Sequence, residues 1–431
     1  MVKKSKKFWV SLVLFSLVGQ VAWVVENMYF NVFIYKMFSA SPTEISLMVA
    51  LSSVVATLTT ILIGAFSDKI GKRKVFISGG YIAWGVSILA FALVRVDVLG
   101  GIFTSVASIP ALCISITIIL DCVMTFFGST ANDACFNAWL TDQTIDTGRG
   151  AVEGVNSMMP LMAILVVFGG FMSFDLSLTS SWTTIFIVIG LIVLLIGVSS
   201  IFLVEETVKE KEDNVSYLKN IAYAFMPSTI KQNAVLYVTV LAFAVFNISI
   251  QVFMPYLIIY YEVSLSLTNY VLIMAPAIII AGIVTAFYGK VYDKKGFKFA
   301  IVPALSSLAL GYVVLSLFTS VVLVFIGSLL MMTGYLTGMA VFGAMIRDYT
   351  PHGKAGAFQG IRIVGQVLVP GVIGPFLGAL VLSDADVVVG SDGMETFIPN
   401  QNIFWTALGV LVLTAVAVFF VTLIAKKHKN N

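Results

Sequence analysis

The stretch Gly64-Ala-Phe-Ser-Asp68-Lys-Ile-Gly71-Lys72-Arg73-Lys74 separates two long apolar runs and packs five charges into eleven positions. Its glycine, flanked by basic residues, reads as a tight turn between two helices. A second copy, Gly289-Lys-Val-Tyr-Asp293-Lys-Lys-Gly296-Phe-Lys298, keeps the Gly, Asp and Gly spacing 225 residues later. A second pair of segments behaves in the same way. Gly150-Ala-Val-Glu-Gly154-Val and Gly356-Ala-Phe-Gln-Gly360-Ile lie 206 residues apart, and each follows a D-x-T element, Asp142 to Thr144 and Asp348 to Thr350. Two signals recurring at about half of a 431-residue chain indicate a duplicated unit.

Outward from these turns the sequence is apolar almost throughout. Hydrophobic residues make up 59% of it and charged residues 11%, with a mean hydropathy of +1.02. A soluble domain has about 25% charged residues. There is too little polar surface here to coat a globule in water, which excludes a cytosolic enzyme, a nucleic-acid-binding protein and a disordered chain. Apolar runs divide the chain into twelve spans: 8–37, 44–66, 75–94, 108–140, 153–174, 182–204, 233–261, 268–289, 299–319, 321–346, 357–383 and 402–425. Backbone groups in lipid must be satisfied within the segment, so each span is expected to be a helix. The expected architecture is an all-α membrane protein of twelve transmembrane helices in two pseudo-symmetric six-helix bundles, 1–204 and 233–431. A charged and then amphipathic link at about 205–232 joins them, and a helix along the membrane surface is expected there.

The few charges fall in order. With the N-terminus in the cytoplasm, 23 of 25 Lys and Arg lie on the cytoplasmic side, and only Lys36 and Arg95 lie outside. This segregation fixes both orientation and span count, with both termini cytoplasmic and the plasma membrane as the expected location. The first run follows MVKKSKKFWV with no small-residue cleavage site, so it reads as a retained span. Cys113, Cys122 and Cys135 share one apolar stretch, and His352 and His428 lie in polar segments. That leaves no His/Cys cluster for a metal, and no buried His for a Ser/His nucleophile.

Gly64, Asp68, Gly71, Lys72, Arg73 and Lys74, between spans two and three, resemble the signature loop of the major facilitator superfamily, with Gly289, Asp293 and Gly296 as the degenerate copy. The resemblance implies two six-helix bundles around a midplane site, worked by alternating access, with spans one, four, seven and ten lining the cavity. It also implies that the loop Asp pairs with helix ends and basic groups as a conformational latch. A finer resemblance is to the glycoside–pentoside–hexuronide cation symporters of the melibiose-permease type. It is carried by Asn132-Asp133-Ala-Cys-Phe-Asn137-Ala-Trp139-Leu-Thr141-Asp142-Gln-Thr144 and then Arg149, and it puts Asp133 on that group's substrate or cation Asp. The chain departs from the group in span two, where Ala56 and Thr60 replace cation-binding acids, and in span one, where Gln20 stands for an acid.

Of 22 acidic residues, Glu26, Asp121 and Asp133 fall well inside apolar spans. An ionised carboxylate there costs about 2.5–3.5 kcal/mol on insertion scales. With no Lys or Arg at that depth, protonation or cation binding is the remedy, so these three are the candidate ion-coupling residues. A structural, hydrogen-bonded acid is the plainer alternative for each. The coupling ion is expected to be a proton, with sodium as the alternative; no other cofactor is expected. Gln20, Trp23, Asn27 and Asn31 recur at helical spacing and are expected on one face. With Thr125, Asn132 and Asn137 of span four, Asn247 and Gln251 of span seven, and Thr333, Tyr335 and Thr337 of span ten, they form the candidate substrate-binding set. Glycines in span eleven are read as close-packing surfaces.

A basic-free midplane disfavours anionic substrates. The chain is therefore expected to be a monomeric secondary transporter, an ion-coupled symporter of a small neutral solute such as a sugar. Proton-coupled efflux of drugs or metabolites is the alternative, and a non-transporting membrane sensor a remoter one. Its partners are a small-molecule substrate and the lipid bilayer, not nucleic acid.

Overall fold

The computed structural model describes residues 5–143, 149–206, 223–351, 355–389 and 394–430. It falls into two compact units, Met1–Tyr217 and Leu218–Asn431. The first holds α1 (Lys6–Phe38), α2 (Pro42–Ile70), α3 (Arg73–Leu93), α4 (Ile109–Gln143), α5 (Arg149–Phe171) and α6 (Thr179–Leu203). The second holds α7 (Ala234–Ser264), α8 (Val271–Lys295), α9 (Phe297–Leu317), α10 (Val321–Asp348), α11 (Gly360–Val381) and α12 (Asn402–Lys427). Eleven of these are long and apolar enough to cross a membrane; in α5 the apolar part is the shorter Val155–Phe171. Each of the twelve expected spans thus has its helix. A small antiparallel hairpin, β1 (Val387–Val389) and β2 (Glu395–Phe397), lies between α11 and α12, with Val387 opposite Phe397.

The solvent these helices require is visible on their outer faces. Leu58, Leu62 and Phe66 recur every four residues on α2, each half or more exposed. Such a stripe belongs in hydrocarbon, not water.

Local chemistry sets the helix ends. Ser41 caps α2 and, with Glu44, closes a capping box behind Pro42. Gly71 ends α2 at φ 72° in the left-handed conformation and Gly296 ends α8 at φ 77° with an extended ψ, so the second glycine of each repeated turn takes a positive φ. Glycine also sets helix spacing. A Cβ on Gly85 of α3 would stand 2.5 Å from the Leu194 nitrogen of α6, and one on Gly197 of α6 would stand 2.6 Å from the Ile82 nitrogen. Gly374 and Gly378 of α11 press on Gln251, Val252 and Tyr256 of α7, so the span-eleven glycines are packing surfaces.

Four helices depart from regular pitch by a wide, π-helical turn: Val25–Phe30 in α1, Ser129–Phe136 in α4, Tyr260–Ser264 in α7 and Val364–Leu368 in α11. Such turns concentrate at functional sites.

Most of the link at 205–232 lies outside the described residues; within its described part, Pro227–Gln232 forms a short helix. Thr144, Lys209, Lys211, Lys219, His352 and Lys354 also lie outside them.

Candidate functional site

Helices α1 and α4 pack in a fixed antiparallel register. Phe15 meets Phe136 at a ring distance of 5.8 Å, Gly19 meets Asn132, Trp23 meets Gly128, and Glu26 meets Thr125. Each step along α1 is answered by an equal step back along α4. The register is held at one end by a buried knot. The Tyr81 hydroxyl donates to the Phe15 carbonyl at 2.8 Å and accepts from Asn132 Nδ2 at 2.7 Å. Gly19 leaves room for that amide, since a Cβ there would collide with it.

The acids sit further along this seam. Glu26 is 7% exposed and Asp121 1% exposed. Thr125, one turn after Asp121 on α4, donates to Glu26 Oε1 at 2.8 Å. Glu26 and Asp121 are electrostatic neighbours, and the other oxygen of Glu26 and Oδ1 of Asp121 are buried with no hydrogen-bond partner. None of the ion pairs among the described residues involves either carboxylate, or Asp133. Asp133 is half-buried and accepts from Ser129 at 3.1 Å. About 18 Å of helix axis separate it from Asp121, and Glu26 lies within electrostatic reach of both. Two carboxylates this close, in a site without base, can hold a proton or a cation between them.

The other expected residues distribute unevenly. Trp23 joins the site, with its ring centroid 4.9 Å from that of Trp84 on α3. Gln20 is half-buried on the same stretch of α1. Gln20, Trp23, Asn27 and Asn31 follow one another along α1 but differ in exposure. The wide turn at Val25–Phe30 contains Asn27, which is exposed, and Asn31 just past it is wholly buried. Their amides return to their own helix, Asn27 to the Trp23 carbonyl and Asn31 to the Asn27 carbonyl. Asn132 has its amide engaged in the Tyr81 knot, and Asn137 is exposed with its amide on the Asp133 carbonyl. Asn247 and Gln251 belong to the second unit, where Asn247 bonds the Phe243 carbonyl and Gln251 lies against Gly374.

Thr125 of the expected set and, beyond it, Ser129, Gly128 and Trp84 complete the site. The sequence signal for two of them is a polar residue every fourth position on α4: Thr117, Asp121, Thr125, Ser129, Asp133, Asn137 and Thr141.

The repeated turns are built into a second, basic cluster. Arg73, 4% exposed, bonds Asp68 and Ser67 of its own turn and reaches Asp142 at the end of α4, with Nε 3.3 Å from Oδ2. Glu206, just past α6, accepts from the Arg73 and Lys74 amides at 2.7 and 3.4 Å, which caps α3 against its dipole. Lys7 pairs with Glu205 at 3.3 Å, and Trp139 Nε1 donates to the Glu205 carbonyl, so α1, α3, α4 and α6 converge here. In the second unit, Tyr292 beside Asp293 donates to Asp348 at 2.5 Å. Asp142 and Asp348 are the aspartates of the two D-x-T elements, so in each half one repeated motif grips the other. Arg95 pairs with Asp97 at the opposite end of α3 and holds that carboxyl below the usual carboxylate range.

Twelve apolar helices in two duplicated units, with a basic turn latched to α4 and uncompensated acids within the helices, define a secondary transporter of the alternating-access kind. The model of the Major Facilitator Superfamily matches residues 9–340, and the chain belongs to that family. Solved structures similar to it include the nucleoside transporter NupG, at TM-score 0.69 and 11% identity over 96% of this chain and 98% of that one. Another is a bacterial homolog of the human lysosomal transporter Spinster, at 0.68 and 14% over 97% and 98%. The xylose transporter XylE from E. coli stands at 0.68 and 16% over 96% and 99%. No curated protein matches the sequence.

Proposed function

We propose that the chain is a proton-coupled symporter of a small neutral, hydroxyl-rich solute such as a sugar, oriented with its basic turns and both termini in the cytoplasm. The observation that carries this reading is the Glu26–Asp121 pair: two buried carboxylates, one hydroxyl donor and no basic partner. Such a pair is costly to carry through the membrane when fully ionised. A proton taken up at Glu26–Asp121 lowers that cost, which links reorientation to proton loading.

The solute class is supported by what the helices lack and by likeness. Arg347 and Arg362 stand at helix ends, leaving no base inside the spans to pair with an anionic substrate. The segment from Asn132 to Thr144 resembles the melibiose-permease group, and two of the similar structures are of a nucleoside and a xylose transporter. The Trp23 and Trp84 rings, tilted 44° to one another beside the acids, favour a second reading, proton-coupled efflux of organic cations, since such rings attract cations.

Purified protein in liposomes, tested with radiolabelled sugars, nucleosides and cationic dyes under imposed proton or sodium gradients, decides between them. Accumulation of a neutral solute driven by an inward proton gradient is the expected result. Dye extrusion favours the antiporter, a response to sodium alone removes the proton, and no flux with any compound overturns transport.

A further inference from the structure

Between the Glu26–Asp121 pair and Asp133, the Trp23 ring lies in the α1–α4 seam. On α4, Thr125 is bonded to Glu26 and Ser129 to Asp133, and Gly128 lies between the two hydroxyls. Trp23, one turn from Glu26 on α1, rests on Gly128. A Cβ at that glycine would stand 2.9 Å from Trp23 Cη2 and 2.7 Å from Trp84 Cε2. Trp84 behind it is fully buried with its indole nitrogen unpartnered, and the Trp23 indole N–H lies within electrostatic reach of the Asp133 carboxylate.

These two rings cannot pass a proton. An indole N–H donates only and has no lone pair with which to relay. The two hydroxyls are about 6 Å apart along the helix axis, beyond direct hydrogen bonding. The titratable groups around the ring are Glu26, Asp121 and Asp133, with the Tyr81 hydroxyl and the Cys122 thiol on their margins. Tyr81 is tied to Phe15 and Asn132.

We propose that Trp23 is the proton barrier of this transporter: it separates a loading station, Glu26–Asp121, from a release station, Asp133, and a proton passes only when the ring leaves Gly128. The step moves one proton from the carboxyl of the pair to the Asp133 carboxylate along water that enters the seam once the ring has left it, since the two stations are too far apart for direct transfer. The inference rests on the proton-coupled reading above. It goes further in giving the three acids two separate duties and in making an aromatic residue, not an ion pair, the element that prevents leak.

The test is substrate-independent proton entry into liposomes loaded with a pH-sensitive dye, under an imposed pH gradient with the membrane potential clamped. Trp23→Ala is expected to raise that entry severalfold over the wild-type protein. Adding Asp133→Asn to it returns entry to the wild-type level, and Trp23→Phe, which keeps a ring in the seam, stays proton-tight. Trp23→Leu makes the same prediction in a side chain nearer in volume, should the alanine variant fail to fold. Leucine and alanine proteins as tight as wild type overturn the barrier, and so does a leak that persists with Asp133→Asn. Proton entry driven by the solutes of the liposome panel is read in the same vesicles with wild-type protein. Its absence defeats the proton-coupled reading, while the leak of the Trp23 variants judges the barrier on its own.

Discussion

Thr125 donates a hydrogen bond to Oε1 of Glu26 at 2.8 Å across the α1–α4 contact, while Oε2 of the same carboxylate is buried without a partner. Half of the carboxylate is therefore fixed by the fold and half is left to bind. Neutralising either member of the acid pair, Glu26→Gln or Asp121→Asn, removes the group that must load and discharge. Uphill accumulation is expected to be lost, while exchange of labelled for unlabelled solute across the same vesicles survives. Gradient-driven accumulation persisting in both variants sinks the coupling role.

Thr125→Val tests the fixed half by itself. The change keeps the side-chain shape and deletes the donor, and hydrogen bonds to charged groups contribute about 1.5–3 kcal/mol. Accumulation should fall by roughly tenfold, the equivalent of about 1.4 kcal/mol, and Thr125→Ser should restore it. Equal losses in the valine and serine variants would point to packing instead.

The spans, their number and the repeated turns were legible in the sequence because lipid allows one solution: apolar runs of helical length, with charges pushed to the ends. The acids were legible for the same reason, as Glu26, Asp121 and Asp133 break the apolar rule. What they touch was not. The wide turn at Val25–Phe30 and the burial of Asn31 beside an exposed Asn27 leave no mark in the spacing of the polar residues. Gly128 reads as an ordinary small residue until the Trp23 and Trp84 rings are seen against it. Asp142 and Arg73 stand far apart in sequence, so their pairing is a tertiary fact, although the D-x-T repeat marks the aspartate.

The Arg73 cluster separates a buried ion pair from an exposed one around a single guanidinium. The Asp142 side chain is 6% exposed and that of Asp68 is 44% exposed. Removing Arg73 leaves the Asp142 charge buried without its guanidinium, a change that typically costs about 3–5 kcal/mol. Pairs at exposed positions contribute about 0–1 kcal/mol. Thermal unfolding followed by tryptophan fluorescence in detergent should therefore show a large loss for Arg73→Ala and a small one for Asp68→Asn. Similar shifts for the two variants would show that the latch is solvated as a whole.

Two glycines of the first unit give opposite signs for the same substitution. At Gly85 a Cβ would meet the Leu194 backbone nitrogen at 2.5 Å, and backbone cannot turn aside as a side chain can. Gly85→Ala must therefore push α3 from α6, and overpacking of this kind costs typically about 1–3 kcal/mol. Gly169 of α5 has nothing within 4 Å of its Cβ position. There the added methyl meets open space and removes backbone freedom from the unfolded chain, which favours the helix by roughly 0.5–1 kcal/mol. The melting temperature should fall for Gly85→Ala and hold or rise for Gly169→Ala. A drop at both positions would mean that α5 is covered by a neighbour, and no drop at Gly85 would mean that the α3–α6 seam is looser than its glycines require.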